Sequence, residues 1–155
     1  MELDRNLKID SVSRLFPTPP HQIDPDQTVA DAVELMRREN VGCLVVCRNG
    51  RLVGILTERD LMRRVFASSL PLTTPISGCM TPDPITVSSK ESIRAAIDRM
   101  EKGGYRHLPV LDEKQRLVGI LSIKRIVHYL VEHFPNLVYN QPPDPRAIPQ
   151  KREGA

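Results

Sequence analysis

Two stretches of the sequence combine a hydroxyl side chain with a charged one at the same spacing. Thr57 and Asp60 close the stretch GILTERD, whereas Ser122 and Arg125 close the stretch GILSIKR. A carboxylate can accept hydrogen bonds from two neighbouring hydroxyl groups, such as those of a ribose, and an arginine accepts none. A helix that starts here would also offer free N–H groups to an anion. The first stretch is therefore suited to bind a nucleoside, and the second is altered for that purpose.

The same residues also have a purely structural interpretation. Thr57 followed three residues later by Asp60 is close to a capping box, in which both side chains bind free N–H groups at a helix start. Asp60 also suits the positive end of the helix dipole. Ser122 keeps the cap in the second stretch, but Arg125 is disfavoured in that first turn by roughly 0.3 kcal/mol or more. The sequence leaves both interpretations open.

A repeat must position these residues. The stretch RLVGIL occurs at residues 51–56 and again at 116–121, and VADAVELM at 29–36 aligns with IRAAIDRM at 93–100. Two copies of one unit therefore cover roughly residues 11–134. Because a unit of about 60 residues buries little surface alone, we expect the two copies to share a core as a pseudo-twofold pair.

Each unit has the same predicted elements. Apolar residues at helical spacing predict a helix in the VADAVELM and IRAAIDRM stretches, the second with Ser89 as its N-cap. Asn49 and Gly50 separate two apolar runs and predict a type I′ hairpin, since both tolerate positive φ. The second hairpin has a longer turn at 112–115, and Pro109 is expected at a strand start or edge. A further helix follows each hairpin. The predicted fold is α/β (α+β), with two tandem β-α-β-β-α repeats.

The predicted organisation has five parts. These are an N-terminal extension at 1–10, a first repeat at 11–68, a Ser/Thr/Pro linker at 69–78, a second repeat at 79–134 and a Pro-rich C-terminal tail at 135–155. The tail lacks periodicity, and we expect it to be extended, with disorder past about Pro142.

The composition narrows the class of protein. The 155 residues carry a net charge of +3, with 40 % hydrophobic and 26 % charged residues, as in ordinary globular domains. No apolar run approaches the roughly 20 residues that span a bilayer, so we expect a cytoplasmic protein. Three cysteines, Cys43, Cys47 and Cys79, do not make a disulfide framework, and no further ligands suggest a metal site.

The order of these features resembles a known family. The repeated RLVGIL[T/S] hairpin, the stretch MTPDPITV and the stretch YRHLPV are similar to those of cystathionine-β-synthase (CBS) domains. The two copies resemble a CBS pair, or Bateman module, from about Val12 to Phe134. Because no catalytic domain is left over, the chain resembles a stand-alone CBS-pair protein.

The resemblance implies a ligand and a site. Such pairs bind adenine nucleotides (AMP, ADP, ATP) or adenosyl ligands such as S-adenosylmethionine in clefts between the repeats, with no required cofactor and no metal. Thr57 would lie near the phosphates, Asp60 on the ribose hydroxyls, and the partner repeat would complete the cleft. The site residues implied are Ile55, Thr57, Asp60, Met80, Thr81, Ile85, Tyr105, Arg106 and His107. A second candidate site would comprise Val41, Gly42, Cys43, Ser122 and Arg125.

The implied role is regulatory rather than enzymatic, since none of the four histidines has a nucleophile or paired acid at a catalytic spacing. We expect an energy-sensing module that transmits ligand binding to an unknown downstream protein. A homodimer is expected, with the helices in DLMRRVF and IVHYLVEHF as candidate contacts, and either helix could equally close its own core. The alternatives are a ligand-free CBS dimer acting as an interaction scaffold and, less favoured, a nucleic-acid-binding protein that uses short, scattered basic pairs.

Overall fold

The computed structural model describes residues 2–133, so the expected C-terminal tail lies outside the described residues. Five helices lie along this part of the chain: α1 (Glu2–Ile9), α2 (Val29–Glu39), α3 (Glu58–Asp60, continued by Leu61–Phe66), α4 (Ile93–Gly103) and α5 (Ile123–His133). The seven strands of this region are β1 (Gln22–Ile23), β2 (Cys43–Arg48), β3 (Arg51–Thr57), β4 (Thr81–Pro82), β5 (Val87–Ser88), β6 (His107–Leu111) and β7 (Leu117–Ser122). Within α3 the hydrogen bonding changes from α-helical to π-helical after Asp60.

The strands form two sheets, one for each repeat. The first has the order β1-β2-β3-β4 and the second the order β5-β6-β7. In each sheet a short parallel strand precedes a helix, and an antiparallel hairpin follows it. The predicted β-α-β-β-α order, and the α/β fold class with it, is therefore confirmed.

The outer edge of each hairpin is supplied by the segment that leads into the other repeat. Thr81, in the inter-repeat segment (residues 72–82), lies opposite Ile55 of β3. Thr18, in the N-terminal segment (residues 10–18), lies opposite Ile120 of β7. The chain thus exchanges its first extended segments between the two repeats.

Hydrogen bonds repeat this exchange at matching positions. The N–H of Val12 donates to the carbonyl of Glu91 at 2.8 Å, and the N–H of Ile76 donates to the carbonyl of Gln27 at the same distance. Short 3₁₀ turns, Val12–Leu15 and Ile76–Gly78, carry the two donors. Each repeat thus receives an equivalent hydrogen bond from the segment that leads into the other, as expected for a pseudo-twofold pair.

Three apolar clusters hold the molecule together. One core lies under each sheet. The second core includes Leu7 of α1 and, from the N-terminal segment, Val12 and Leu15, and the first core includes Ile76 and Cys79 of the inter-repeat segment. A third cluster, Cys43, Val45, Ile55 and Ile120, joins the two sheets. This third cluster removes apolar surface that neither repeat could bury alone.

Two local predictions need correction, and one is confirmed. Asn49 and Gly50 both have positive φ, at 52° and 76°, as the type I′ turn requires. Ser92, not Ser89, caps α4, and the N–H of Ser89 instead donates to the carbonyl of Leu111. Pro109 lies in the middle of the central strand β6, not at a start or edge. This position tolerates a proline because β5 pairs with β6 only at Val110 and Leu111, so no ladder bond to β5 requires an N–H at residue 109.

Candidate functional site

The start of α3 is a capping box centred on Asp60. One carboxylate oxygen, Oδ2, accepts the backbone N–H of Thr57 at 3.0 Å and its hydroxyl at 3.3 Å. In return, the N–H of Asp60 donates to the Thr57 hydroxyl at 3.4 Å. Only 9 % of Asp60 is exposed to solvent. The structural interpretation of these two residues is therefore confirmed.

The second carboxylate oxygen of Asp60 faces the inter-repeat segment. Its Oδ1 accepts the hydroxyl of Thr81 at 3.0 Å and lies 3.7 Å from Nε of Arg64. Arg64 also donates to the carbonyl of Met80 at 2.7 Å. The carboxylate thus lies between two threonine hydroxyls and a guanidinium, and Arg64 fixes the segment onto α3.

A cross-repeat hydrogen bond brings the second repeat to this helix start. The guanidinium of Arg59 donates to the carbonyl of Gly104 at 3.2 Å. Tyr105, Arg106 and His107 follow Gly104 directly, with 37 % of Tyr105 exposed. The structure therefore brings the YRH segment beside α3, as the resemblance implies.

The start of α3 offers an anion fewer free N–H groups than expected. The N–H groups of Thr57 and Asp60 are bound within the capping box, and that of Glu58 donates to the carbonyl of Gly42 at 3.1 Å. The expectation of free backbone donors is wrong for these three residues. Three backbone donors at this helix start are therefore already occupied within the protein.

Four charged or titratable groups meet near the junction of the repeats. Burial lowers the pKa of His107, the nearby cations of Lys124 and Arg106 lower it further, and Glu58 opposes them. The imidazole is consequently neutral at pH 7. A bound phosphate would add negative charge beside it and favour its protonated, hydrogen-bond-donating form.

The structure places the three residues expected around a base in different surroundings. Ile55 is buried in the cluster between the sheets, and Met80 lies over Gly54, whose missing side chain makes room for its sulfur. Ile85 is 44 % exposed and lies further along the chain, just before β5. Of this set, only Met80 is tied directly to the Asp60 cluster, through Arg64.

The residues of the second candidate site fall into two groups, one at the start of β2 and one at the start of α5, and their chemistry differs from that of the first site. Ser122 accepts the N–H of Arg125 at 3.3 Å, and Arg125, a half-buried residue, forms no ion pair within residues 2–133. Glu58 lies so close to Gly42 that a side chain there would meet its carboxylate at 2.8 Å. Burial first, and the charge of Asp60 second, raise the pKa of Cys43 to about 12.

Three contributors to the first site escaped sequence reasoning. Arg64 is four residues after Asp60, and this helical spacing was the one available signal. Arg59 and Glu58 act across the junction of the repeats, and no local pattern indicates such contacts.

Two depressions on the described surface lie away from this site. One, of about 310 Å³, lies between β1 and α2. The other, of about 480 Å³, lies between the two hairpin turns and is lined by Arg51, Asp83, Thr86 and Gln115, among others. Neither is lined by Thr57 or Asp60, because the Thr81 hydroxyl and Arg64 close over the carboxylate.

Metal-binding clusters and membrane-spanning helices are both absent from residues 2–133. No cluster of histidine, cysteine or acidic side chains in this region is arranged to hold a metal ion. None of its helices combines the length and apolar character needed to cross a membrane.

Comparisons with known proteins agree with this geometry. A family model described as CBS domain matches residues 12–67 and 76–132. An uncharacterised 17.7 kDa protein of Acidianus ambivalens is 34 % identical over 122 residues, which make up 78 % of this chain and 73 % of that protein.

Solved structures share the fold. The crystal structure of the CBS domain protein NE2398 superposes with a TM-score of 0.72 at 31 % identity, covering 79 % of this chain and 98 % of that one. The crystal structure of CBSX2 in complex with AMP gives a TM-score of 0.68 at 28 % identity, covering 79 % and 97 % of the respective chains.

Proposed function

The chain belongs to the CBS domain family, and on that premise we propose that it is a regulatory module that binds an adenine nucleotide or a related adenosyl ligand beside Asp60. The observation that carries this proposal is the carboxylate itself. It is nearly buried, lies at the junction of the repeats and accepts hydrogen bonds from two hydroxyl groups. A ribose diol offers the same kind of donor.

Exchange of partners is the first step of the proposed binding. The Thr81 hydroxyl rotates away from Oδ1 of Asp60, and a ribose hydroxyl takes its place. A hydrogen bond to a charged group contributes about 1.5–3 kcal/mol, and the exchange replaces one such bond with another. The affinity therefore has to come from the base and the phosphates as well.

The cations proposed to bind the phosphate groups belong to the second repeat. Arg106 and His107 follow the carbonyl that Arg59 holds, and Lys124 lies near His107. Arginine binds phosphate in a bidentate fork, and a protonated His107 adds a further donor. Since these cations belong to the opposite repeat from Asp60, one ligand would contact both repeats and favour one arrangement of them.

The known neighbour with AMP supports the ligand class. CBSX2 was crystallised with AMP, and it shares the fold of this chain over most of both lengths. The proposed role is regulatory rather than catalytic, with the change in repeat arrangement passed to a partner protein.

Two exposed apolar stripes suit a homodimer of such modules. Met62 and Phe66 are 67 % and 58 % exposed on α3, and Ile123, Val127 and Val131 form a stripe on α5. We propose that two copies bury these stripes against each other. Light scattering should give the mass of a dimer, and Phe66→Lys combined with Val127→Lys should give that of a monomer. A wild-type monomer would contradict this arrangement.

A ligand-free scaffold is the second candidate. The observation in its favour is that both oxygens of Asp60 already have partners within the protein. In that case Thr57 and Asp60 serve only to cap the start of α3.

A thermal-shift screen against AMP, ADP, ATP and S-adenosylmethionine separates the two. A ligand at about 100 times its Kd should stabilise the protein by roughly 2.7 kcal/mol. The shift should vanish in Asp60→Ala and persist in the matched control Arg125→Ala. Thr81→Val, which removes the competing hydroxyl, should bind at least as well as the wild type. No shift with any ligand would leave the scaffold as the function.

A further inference from the structure

The two repeats differ in one backbone hydrogen bond beside the cleft. In the first repeat, the N–H of Val45 in β2 donates to the carbonyl of His21 at 2.9 Å. The matching positions of the second repeat are Pro109 in β6 and Ile85. Proline has no N–H group, so this bond cannot form there.

The carbonyl of Ile85 consequently has no hydrogen-bond donor among residues 2–133. Its direction is fixed by its neighbours. Val87 pairs with Val110 in the parallel ladder of β5 and β6, and carbonyls two residues apart in an extended chain point to the same side. Arg99 donates to the carbonyl of Thr86 at 3.1 Å from the other side. The carbonyl of Ile85 is thus an unused acceptor directed toward Pro109.

The distance from this acceptor to Asp60 suits a nucleoside. Thr81 donates to Asp60, and Ile85 lies four residues later. The intervening chain can span at most roughly 13 Å, and less here because Asp83 has a positive φ of 47°. A span of this order fits an adenosine with a hydrogen bond at its ribose and another at the far edge of its purine.

We propose that Pro109 is a specificity-determining residue, because it leaves the carbonyl of Ile85 free to accept the 6-amino group of adenine. This inference rests on the proposed function, since it requires the ribose of the same ligand to lie on Asp60. In the mate cleft, Val45 already occupies the carbonyl of His21. The acceptor for an amino group is therefore available in one cleft and occupied in the other.

The chemistry predicts which bases are rejected. Adenine presents an amino donor at position 6, whereas hypoxanthine and guanine present a carbonyl oxygen there. Two carbonyl oxygens facing each other repel, and the acceptor would lose its partner. Sites built to bind a donor discriminate strongly against analogues that lack it.

The test compares AMP with inosine monophosphate by calorimetry. The wild type should bind AMP at least about tenfold more tightly. Pro109→Val, which copies the first repeat, restores the N–H and should reduce the ratio to about twofold or less through weaker AMP binding. Pro109→Ala restores the same N–H with a smaller side chain, in case the valine variant does not fold. Val45→Ala is the matched control, because it keeps its N–H and should leave the ratio unchanged.

The outcomes separate the inference from the proposed function. Equal binding of AMP and inosine monophosphate by the wild type would overturn the inference, as would an unchanged ratio in a folded Pro109 variant. In both cases Asp60-dependent AMP binding would leave the proposed function intact. Absence of AMP binding by the wild type would remove both.

Discussion

At the start of α3, Asp60 accepts hydrogen bonds from Thr57 and Thr81, whereas at the matching start of α5 Arg125 is bound to Ser122 only through its backbone N–H. In both helix starts a hydroxyl side chain, Thr57 or Ser122, accepts the backbone N–H three residues later. What differs is the charge of the side chain at that third residue. A repeat can therefore keep its fold by keeping its glycines and apolar pattern, while its polar residues take on different roles.

The next turn of each helix shows the same division. Arg64 of α3 holds the inter-repeat segment through the carbonyl of Met80. At the matching place on α5, Tyr129 holds the N-terminal segment by donating its hydroxyl to Asp10. Burial, and then this hydrogen bond, raise the pKa of Tyr129 to about 12. Each helix thus fixes the segment that completes its own core, but with different chemistry.

The largest difference in stability should come from the two glycines of the repeated VGIL stretch. An added methyl at Gly119 would lie 2.8 Å from the ring carbon Cβ of Pro17, which cannot move aside. At Gly54 the nearest atom is the flexible sulfur of Met80. Gly119→Ala should therefore cost about 2 kcal/mol and Gly54→Ala less than about 1 kcal/mol. Urea denaturation measures both. Equal costs would show that Met80 is held as rigidly as Pro17.

The two helix starts should respond unequally to loss of their charged residue. Asp60→Ala removes a cap and the partner of Thr81, and should destabilise the protein by about 1.5 kcal/mol. Arg125→Ala removes a cation from a first turn and should be neutral or stabilising by about 0.3 kcal/mol. Both follow from denaturation in the absence of ligand. A comparable loss in Arg125→Ala would reveal a structural contact of that guanidinium.

Converting the second helix start into the first should stabilise the chain. Arg125→Asp would pair with Ser122 as Asp60 pairs with Thr57, adding a capping box of about 0.5–1 kcal/mol. Arg125→Asn is a control that can cap without charge and should give a smaller gain. A net loss in Arg125→Asp would mean that the cation already has a favourable role in that cleft.

The smallest effect concerns pH and has no counterpart in the first repeat, where Cys43 takes the place of His107. Burial lowers the pKa of His107 below its ordinary 6.5, so the unfolded chain takes up this proton before the folded one does. Its contribution is fully present above pH 6.5 and is lost as the pH falls toward the folded pKa. His107→Gln should lose stability less steeply on acidification than the wild type. Identical slopes in His107→Gln and the wild type would contradict the assignment.

The sequence was sufficient for the features that repeat locally. The repeated RLVGIL stretch and the apolar spacing of α2 and α4 predicted the order of elements, and Asn49 with Gly50 predicted the turn. The cap of α4 was misplaced because Ser89 and Ser92 both precede the helix, and apolar spacing defines its face more clearly than its first residue.

Local sequence patterns did not predict which extended segment pairs with which sheet. Thr18 and Thr81 belong to extended pieces too short to show any period, so their exchange between the sheets left no pattern. Thr57 and Asp60 were identified as a local pair, but the third member, Thr81, is supplied by this exchange. Their role toward a ligand stays a prediction.

The exchange of extended segments also bears on how the chain is made. A ribosome releases residues 10–18 well before the second repeat, yet Val12 and Leu15 are buried among residues of that repeat. This segment must therefore remain unpaired until the second repeat has left the exit tunnel. Contacts between residues so far apart in sequence slow folding. A nascent chain thus exposes residues 10–18 to capture by a neighbouring copy until the second repeat has been released and can bury them.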